Sequence, residues 1–341
     1  MPSYIKEHIP LAPYTSLNVG GNADYFGTAT TEKELVELLE WADSQHVPVT
    51  ILGGGSNVLI PDEGIRGLVV QIAIEGVRYT PKDDVSICVT SGAGVLFDSL
   101  ISDSVEKGYW GLENLSSIPG TVGGAPIQNV GAYGVEVKDS IVHVRVYDRV
   151  CKEFTELDIN ACAFEYRDSI FKHEGKDRYI VSSVTFTLST VPKPKIEYAD
   201  LSTRFSEGSS CSVHDIRKAV CEIRKNKFPD WHSVGTAGSF FKNPTISKEA
   251  FILLSSKYPG IPGYEQKNGS YKIALGWVLD KVLSLKGYRT GAVGLYSEQA
   301  LVLVNHGGAT ADAIKKFSDE IIKKIFDETG IHVEREVVTL S

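Results

Sequence analysis

The chain contains few cysteines, and their spacing forms no known pair or metal motif. Among 341 residues there are five, at positions 88, 151, 162, 211 and 221, and no two of them make a C-x-x-C spacing. An odd number without close spacing argues against both a disulfide framework and a zinc site. We therefore expect buried thiols in a reducing compartment and no bound metal.

The sequence also lacks a targeting segment and a membrane-spanning run. Its start, MPSYIKEHIPLAPYTSLNVGG, has no basic stretch followed by an apolar one, and no uninterrupted apolar stretch approaches membrane-spanning length. The net charge of -8 argues against a broad nucleic-acid surface, although a local basic pocket could hold an anionic substrate. We expect a cytoplasmic protein with a small-molecule partner and neither nucleic acid nor membrane as partner. No oligomer is predicted, and a monomer is the simplest expectation.

Periodicity predicts both helices and strands, without a regular alternation between them. Thr31 is predicted to cap a helix, with Glu34 closing a capping box, and the apolar face of this helix comprises Leu35, Leu38, Leu39 and Ala42. Further helices are predicted over 213–226, 272–285 and 311–328, and strands over 49–52, 68–73, 85–93, 141–149, 179–188 and 300–305. Breaks near 191–200 and 227–231 divide this pattern. The pattern indicates an α+β fold of two or three lobes, since the chain exceeds what one core usually supports.

A first glycine loop follows the predicted strand at 49–52. In LGGGSNVLI, Gly53, Gly54 and Gly55 can direct successive backbone N–H groups into one concavity, and Ser56 and Asn57 add side-chain donors. The stretch matches neither G-x-G-x-x-G nor G-x-x-x-x-G-K-[ST]. A nest for a phosphate or pyrophosphate and a tight turn between strands are both compatible with it.

A second loop, NLSSIPGTVGGAPIQNVGAYGV (114–135), has no charged side chain. An ordered irregular segment of this length is usually functional. Glycines permit close approach, and the neighbouring polar and apolar side chains suit a large, mostly neutral ring system such as a flavin, whose diphosphate would lie in the first loop. The residues considered for this contact are Ser116, Ser117, Ile118, Thr121, Gly123, Gly124, Gln128 and Asn129. A buried structural loop is the alternative.

The stretch AGSFFKNP raises the question of a nucleophilic serine at Ser239. Such a serine needs a neighbouring base, but the G-x-S-x-G motif is absent and no histidine lies in a motif that would pair with Ser239. A turn or helix-cap serine is the plain alternative.

Five segments together resemble the UDP-N-acetylenolpyruvoylglucosamine reductase family, which acts in peptidoglycan precursor synthesis. They are GGGSNVLI, GLENLSSIPGTVGGAPIQNVGAYG, YRDSIFK, AGSFFKNP and EQALVLVN, in order across almost the whole chain. The resemblance implies the longer type of this reductase, with non-covalent FAD and with NADPH as the hydride source. It also implies three lobes, two of which form an FAD-binding fold of the vanillyl-alcohol-oxidase (PCMH) type. These would span 1–74 (joined by the strand 332–341) and 75–227, followed by a substrate-binding lobe over 228–331.

The same resemblance implies three catalytic residues. Ser239 would donate a proton to the carbanion left after hydride transfer, and Arg167 and Glu336 would stabilise the enol intermediate, which Glu336 could also protonate. From the residues alone, Arg167 could be a surface ion-pair partner, and a predicted strand over HVEREVVTL places both Glu334 and Glu336 on one face. Val338 stands where the family usually has arginine, which leaves open what replaces that side chain.

Six residues are implied as contacts of the nucleotide sugar, since cations and phenols suit its phosphates: Tyr198, Arg224, Lys227, Asn243, Tyr264 and Gln299. Tyr198 lies in the insertion that marks the longer type and is expected to cover the substrate. Arg224 and Lys227 also fit the solvated end of a helix. Two other functions stay open, another FAD oxidoreductase on this scaffold and a non-catalytic nucleotide-sugar binding protein, because a fold alone does not decide function.

Overall fold

The computed structural model describes residues 2, 4–205 and 210–340. Its strands are, in chain order, β1 (Ile5–Pro10), β2 (Asn22–Ala29), β3 (Val49–Leu52), β4 (Val58–Leu59), β5 (Ile65–Ile72), β6 (Val77–Asp83), β7 (Ser86–Gly92), β8 (Gly131–Ala132), β9 (Val135–Glu136), β10 (Ile141–Asp148), β11 (Glu153–Asp158), β12 (Tyr179–Ser189), β13 (Gly235–Ser239), β14 (Thr245–Ile246), β15 (Gly263–Glu265), β16 (Tyr271–Ile273), β17 (Arg289–Thr290), β18 (Val293–Leu295), β19 (Val302–Asn305) and β20 (Val338–Thr339). Its α-helices are α1 (Glu32–Gln45), α2 (Phe97–Glu106), α3 (Ala199–Ser202), α4 (Val213–Lys227), α5 (Lys248–Lys257), α6 (Leu275–Trp277) and α7 (Ala311–Thr329).

Contacts divide the chain into two units. The first unit comprises Met1–Ile9, Ala23–Gly55 and Ile65–Arg224, and the second comprises Pro10–Asn22, Ser56–Gly64 and Lys225–Ser341. The first glycine loop is therefore shared, with its glycines in the first unit and Ser56 and Asn57 in the second.

The first unit contains two larger sheets. One has the order β1-β2-β5-β3, in which β2 and β3 both run parallel to β5. The other is antiparallel throughout, in the order β11-β10-β12-β7-β6. The apolar face predicted for α1 is buried, and its leucines share a core with Leu68 and Val70 of β5. The first glycine loop leaves the carboxyl end of β3.

Helix α1 begins at the predicted cap. The Thr31 side chain accepts a hydrogen bond from the Glu34 N–H at 3.1 Å, which confirms it as the N-cap. The Glu34 carboxylate accepts from the N–H of Thr30 at 2.7 Å and from its hydroxyl at 2.6 Å, so the capping box closes one residue earlier than predicted. The reciprocal bonds still satisfy donors at the start of the helix.

The second unit contains the sheet β13-β19-β18-β17, the small sheet β14-β16-β15 and the pair β20-β4. Helix α7 has the predicted Thr310 cap, which accepts from the Ala313 N–H, and the predicted stop at Gly330, whose φ of 70° is left-handed. Its apolar side chains are buried in the core of this unit. Strand β20 runs parallel to β4 and so brings the C-terminal segment beside the end of the first glycine loop.

Two element predictions are wrong. Residues 272–285 do not form one helix, because Tyr271–Ile273 pairs with both β14 and β15 and leaves only the single turn of α6 and a π-helical turn over Val278–Val282. Apolar residues that suggested a helix are buried here, but some belong to the strand β16 and others to the two helical turns. The stretch HVEREVVTL is a strand only at Val338–Thr339, with one further bridge between Phe241 and Arg335.

Candidate functional site

The two glycine loops, far apart in the sequence, meet in the first unit. A Cβ atom added to Gly54 would lie 3.0 Å from the Gly120 Cα atom, and one added to Gly53 would lie 3.2 Å from the Thr121 hydroxyl oxygen. Gly55 has a φ of 63°, which few other residue types adopt easily. A side chain at either position would press on the other loop, so the proposed diphosphate loop lies directly against the proposed flavin loop.

Thr121 supplies a direct indication that a ligand fits here. Its hydroxyl oxygen is buried and has no hydrogen-bond partner among the residues that the structure describes. Buried hydroxyls in proteins almost always have such a partner. A polar ligand in the glycine cradle would satisfy this group, and FAD, with a diphosphate and a polar ring edge, is a ligand of the right chemistry.

The second loop is held by the core beneath it. Single 3-10 turns cover Glu113–Leu115 and Val122–Gly124, and the backbone N–H groups of Val122 and Gly123 donate to the carbonyls of Val95 and Ala93. A Cβ atom at Gly123 would lie 2.6 Å from that of Ala93, so packing explains this glycine. The loop is thus part of the buried structure, as one of the two interpretations of its composition expected.

Three non-glycine residues of this loop have left-handed backbone conformations. They are Ser117 (φ 61°), Asn129 (φ 45°) and Tyr133 (φ 48°), and Arg167, which contacts the loop, is a fourth (φ 53°). Such conformations are costly and concentrate at functional sites. Their grouping around one loop supports a functional role for it.

The side chain of Asn129 is engaged by the protein itself. It is fully buried, its amide donates to the Glu165 carbonyl at 2.8 Å and to the Glu136 carboxylate at 3.1 Å, and its oxygen accepts from the Lys138 N–H at 3.2 Å. Asn129 therefore shapes the loop and ties it to the turn that carries Arg167.

Arg167 lies in a tight turn between Glu165 and Asp168, whose backbones bond to each other in both directions. Its guanidinium donates to the Gly131 carbonyl at 2.6 Å and lies over the Tyr166 ring, 5.5 Å from the ring centre. Lys172 donates to the Arg167 carbonyl at 3.0 Å. These contacts hold the Arg167 side chain against the second glycine loop.

Tyr198 belongs to an aromatic pair that the sequence did not indicate. Its ring is edge-on to that of the buried Tyr133, with 5.7 Å between the ring centres. The amide of Asn114 donates to the Tyr133 carbonyl at 2.9 Å and to the Lys195 carbonyl at 2.8 Å. The buried Asn114 side chain thus joins the second loop to the segment that carries Tyr198. Tyr198 itself is 46% exposed.

Arg224, on α4, reaches the same place. Its Nε atom donates to the Ser117 carbonyl at 3.1 Å, and its guanidinium also hydrogen-bonds with the Tyr133 side chain. Burial lowers the pKa of Arg224, although Tyr133 and Asp98 act to raise it. Burial raises the pKa of Tyr133 to about 12, although Arg224 acts to lower it. The tyrosine is therefore neutral at neutral pH and presents a hydroxyl group.

In the second unit, Ser239 follows a β-bulge. Thr236 pairs with Val304 and Ser239 pairs with Val302, so three steps along β13 match two along β19. Gly238, inside the bulge, has a φ of 72°, and its N–H donates to the Thr236 hydroxyl at 3.1 Å. Bulges re-aim side chains and are common beside active sites.

Glu336 lies next to the strand that carries Ser239. Its N–H donates to the Phe240 carbonyl at 2.9 Å, and its carbonyl accepts from the Asn57 amide at 3.2 Å. Glu334 instead forms an exposed ion pair with Lys242 at 3.0 Å, its side chain 77% exposed. The two glutamates that the sequence left as alternatives thus lie in different settings, and the Asn57 side chain holds the Glu336 backbone.

The other predicted substrate contacts in this unit differ in setting. The Asn243 oxygen accepts from the Leu275 N–H at 3.0 Å, which leaves the amide NH₂ as the donor end. A Cβ atom at Gly276 would lie 2.8 Å from the Gln299 oxygen, so Gln299 packs against a glycine. Tyr264 is 54% exposed on β15, and Lys227 is half-buried at the end of α4. Val338 is exposed on β20.

The structure therefore gathers Arg167, Tyr198 and Arg224 with the second loop in the first unit, and Ser239 with Glu336 in the second. Sequence analysis missed Asp98, Asn114 and Tyr133. Tyr133 and Asn114 lie inside the uncharged loop, and Tyr133 could have been found as its largest polar side chain. Asp98 left no local signal, since it resembles any exposed helix residue.

Family models match two regions of the chain. A model described as "FAD binding domain" matches residues 23–151, and one described as "UDP-N-acetylenolpyruvoylglucosamine reductase, C-terminal domain" matches residues 230–340. The first covers both glycine loops, and the second covers Ser239 and Glu336.

Curated relatives match over nearly the full length. UDP-N-acetylenolpyruvoylglucosamine reductase of Ralstonia nicotianae is 41% identical, over 98% of this chain and 99% of the relative, and that of Pseudomonas aeruginosa is 38% identical, over 97% and 98%. The crystal structure of the reductase from Thermus caldophilus is 27% identical, with a TM-score of 0.70 over 99% of this chain and 100% of that one. These matches confirm the α+β class, with an FAD-binding domain followed by the C-terminal domain of this reductase family.

Within the described ranges, no helix is long and apolar enough to cross a membrane. No group of three or more histidine, cysteine or carboxylate side chains there is placed to hold a metal ion.

Proposed function

The chain belongs to the UDP-N-acetylenolpyruvoylglucosamine reductase family, and from this premise we propose which of its residues hold the cofactor, bind the substrate and move the proton. The enzyme is an FAD-containing oxidoreductase that reduces UDP-N-acetylenolpyruvoylglucosamine in peptidoglycan synthesis, with NADPH as the reductant general to the family. The near full-length match favours this function over another FAD oxidoreductase or a non-catalytic binding protein.

Bound FAD would accept hydride from NADPH and pass it to the enolpyruvyl group. We propose that the first loop, Gly53 to Asn57, holds its diphosphate through backbone N–H groups, and that the Thr121 hydroxyl hydrogen-bonds to it. The orphaned Thr121 oxygen beside Gly53 is the observation that carries this assignment. The other proposed contacts in the second loop are Ser116, Ser117, Ile118, Gly123, Gly124, Gln128 and Asn129, with Asn129 acting through the loop conformation that its side chain maintains.

Three residues serve the chemistry in this proposal. Ser239 gives its hydroxyl proton to the α-carbon of the substrate, since adding hydride to a conjugated enol ether leaves a basic carbanion there. Arg167 places a fixed positive charge at the substrate carboxylate, where negative charge develops. Glu336 stabilises or protonates the enol form. The hydrogen bond from the Arg167 guanidinium to the Gly131 carbonyl and that from the Asn57 amide to the Glu336 carbonyl support these roles, because stabilising groups must be preorganised.

Substrate contacts follow from charge and placement. Arg224 and Lys227 supply positive charge for the diphosphate, Asn243 and Gln299 supply amides, and Tyr264 supplies an exposed ring. Tyr198 covers the substrate, which its exposure and its attachment through Asn114 support.

Lobe boundaries, oligomeric state, coenzyme and cellular compartment are also part of the proposal. We propose three lobes, over 1–74 with 332–341, over 75–227 and over 228–331, and a monomer as the working form. We also propose that NADP(H) is the coenzyme of this chain, that it acts in the cytoplasm, and that its product serves cell wall biogenesis, cell shape, cell cycle and cell division. The five free cysteines support a reducing compartment.

The decisive experiment separates flavin reduction from flavin reoxidation. In Ser239→Ala, we expect anaerobic reduction of the flavin by NADPH within about twofold of the wild-type rate, and reoxidation by the enolpyruvyl nucleotide slowed by about 10²-fold or more, as for loss of a general acid. Ser233→Ala, which removes an exposed turn hydroxyl that donates to the Asp230 carbonyl, is the matched control. Wild-type reoxidation in Ser239→Ala would overturn the proton-donor role. If the enolpyruvyl nucleotide did not reoxidise the reduced flavin of the wild-type enzyme, the substrate assignment would be wrong.

A further inference from the structure

An ion pair outside the assigned residues reaches the first part of the second glycine loop, at Ser117. Asp98, in the first turn of α2, accepts from both terminal nitrogens of Arg217 on α4, at 2.6 and 3.1 Å. The Arg217 side chain is 18% exposed and that of Asp98 is 38% exposed. A two-point pair of this kind fixes the orientation of both side chains.

The same carboxylate holds the backbone of Ser117. The Ser117 N–H donates to Asp98 Oδ1 at 2.6 Å, and the Ser117 carbonyl accepts from Arg224 Nε at 3.1 Å. Charged side chains from two helices thus hold the two sides of one residue. Ser117 needs such support because its φ of 61° is unfavourable for a side chain other than glycine.

Arg217 and Arg224 are seven residues apart on α4, which places them on one face of that helix, about two turns apart. Asp98 therefore anchors the helix face that presents Arg224. Arg224 in turn hydrogen-bonds with Tyr133, whose ring packs against Tyr198. A continuous set of contacts runs from Asp98 through the flavin loop to the residues proposed to cover the substrate.

We propose that Asp98 is a positioning residue that couples FAD retention to nucleotide-sugar binding. It keeps Ser117 in the conformation that the FAD loop needs, and through Ser117 and Arg217 it sets the position of Arg224. This inference rests on the proposed roles of Ser117 and Arg224. It assigns Asp98 no contact with substrate or with the reacting atoms.

The charge of Asp98 is part of this role. Burial acts to raise the pKa of its carboxyl group, but hydrogen bonds from Arg217 and the Ser117 N–H, and the charges of Arg217 and Arg224, lower it overall. The group is thus an anion at neutral pH and the strongest available acceptor for the Ser117 N–H.

Asp98→Asn tests the proposal, because it removes the negative charge that Ser117 and Arg217 share and replaces Oδ2, which accepts from Arg217, with an NH₂ group that cannot accept. Asp103→Asn is the matched control: it lies on the same helix with 44% side-chain exposure, and it loses an ion pair with Lys107 and a hydrogen bond from Tyr79 without contact to the loop. Flavin fluorescence during titration of apoprotein with FAD gives the Kd, and steady-state assays of the holoenzyme give KM and kcat.

We expect Asp98→Asn to raise the FAD Kd by about tenfold or more, as for loss of a hydrogen bond to a charged group, and to raise the substrate KM by a similar factor. The kcat with saturating FAD should change by less than about threefold, because the proton and hydride steps do not use Asp98. Asp103→Asn should change none of the three.

A second variant removes the need for positioning. In a Ser117→Gly background, Asp98→Asn should raise the FAD Kd by less than about threefold, because glycine adopts the left-handed conformation without support. A full tenfold effect in that background, or equal effects of Asp98→Asn and Asp103→Asn, would overturn the proposal. If Arg224→Gln leaves KM unchanged, the substrate role of Arg224 fails instead, while the FAD titrations still decide the role of Asp98.

Discussion

Thr236 and Ser239 lie on the same face of their sheet although they are three positions apart. In a regular strand, an odd separation places side chains on opposite faces. Here the partners Val304 and Val302 are two apart on β19, so the extra residue of the bulge returns Ser239 to the face of Thr236. The direction of the proposed proton donor therefore depends on the backbone at Gly238.

Gly238→Ala tests this dependence. Among the described residues, none lies within 4 Å of an added Cβ atom, so the substitution changes only the conformational preference of a residue with a φ of 72°. We expect a loss of about 1 kcal/mol in the free energy of unfolding and slower flavin reoxidation by substrate. Gly238→Asn should recover much of both, because asparagine tolerates the left-handed region. Thermal unfolding and stopped-flow reoxidation measure these effects, and identical behaviour of the two variants would contradict the argument.

We expect alanine to have different effects at Gly54 in the first loop and at Gly124 in the second. A Cβ atom at Gly54 would press on the Gly120 backbone at 3.0 Å, whereas at Gly124 the nearest atom is the Thr121 oxygen at 3.9 Å. Gly54→Ala should lower apoprotein stability by about 1–3 kcal/mol, as for overpacking, and weaken FAD binding. Gly124→Ala should leave apoprotein stability within about 0.5 kcal/mol but still raise the FAD Kd. Unchanged FAD affinity in Gly124→Ala would remove this residue from the cofactor contacts.

Asn114→Ala should loosen the segment that carries Tyr198. The amide donates to both the Tyr133 and the Lys195 carbonyls, and losing it leaves the buried Tyr133 carbonyl without this partner at a cost of about 1–3 kcal/mol. We expect a lower Tm and a raised substrate KM with kcat little changed, since no reacting group moves. Asn160→Ala, at an exposed turn, is a suitable control. A fall in kcat at constant KM would show that Asn114 acts on the chemistry rather than on the cover.

Glu113 predicts a pH dependence of stability. Its side chain is buried, with the residue 2% exposed, and burial raises the pKa of its carboxyl group above the ordinary 4.5, although it accepts from the Gly111 N–H at 2.6 Å. An acid whose pKa is raised in the folded state loses stabilisation as the pH rises through that value. Glu113→Gln keeps an acceptor and cannot ionise, so its Tm relative to wild type should be higher at pH 7 than at pH 4. A Tm difference that does not grow between these pH values would contradict this explanation.

Local features of the chain were read correctly from the sequence. The caps at Thr31 and Thr310, the stop at Gly330 and the buried face of α1 depend on residues three or four positions apart, so short-range hydrogen bonding and periodicity decide them. The helix predicted over 272–285 failed because pairing of β16 with two distant strands outweighed a local apolar pattern.

The sequence by itself determined the family, the two uncharged or glycine-rich loops and the identity of the polar residues considered for chemistry, since these are properties of residue type and order. Only the tertiary structure decided that Gly54 meets Gly120, that Asp98 holds Ser117, and that Asn57 rather than a local neighbour holds Glu336. Each of these contacts joins residues far apart in the chain. Their partners are chosen by packing and by the need to satisfy buried polar groups, which no local pattern encodes.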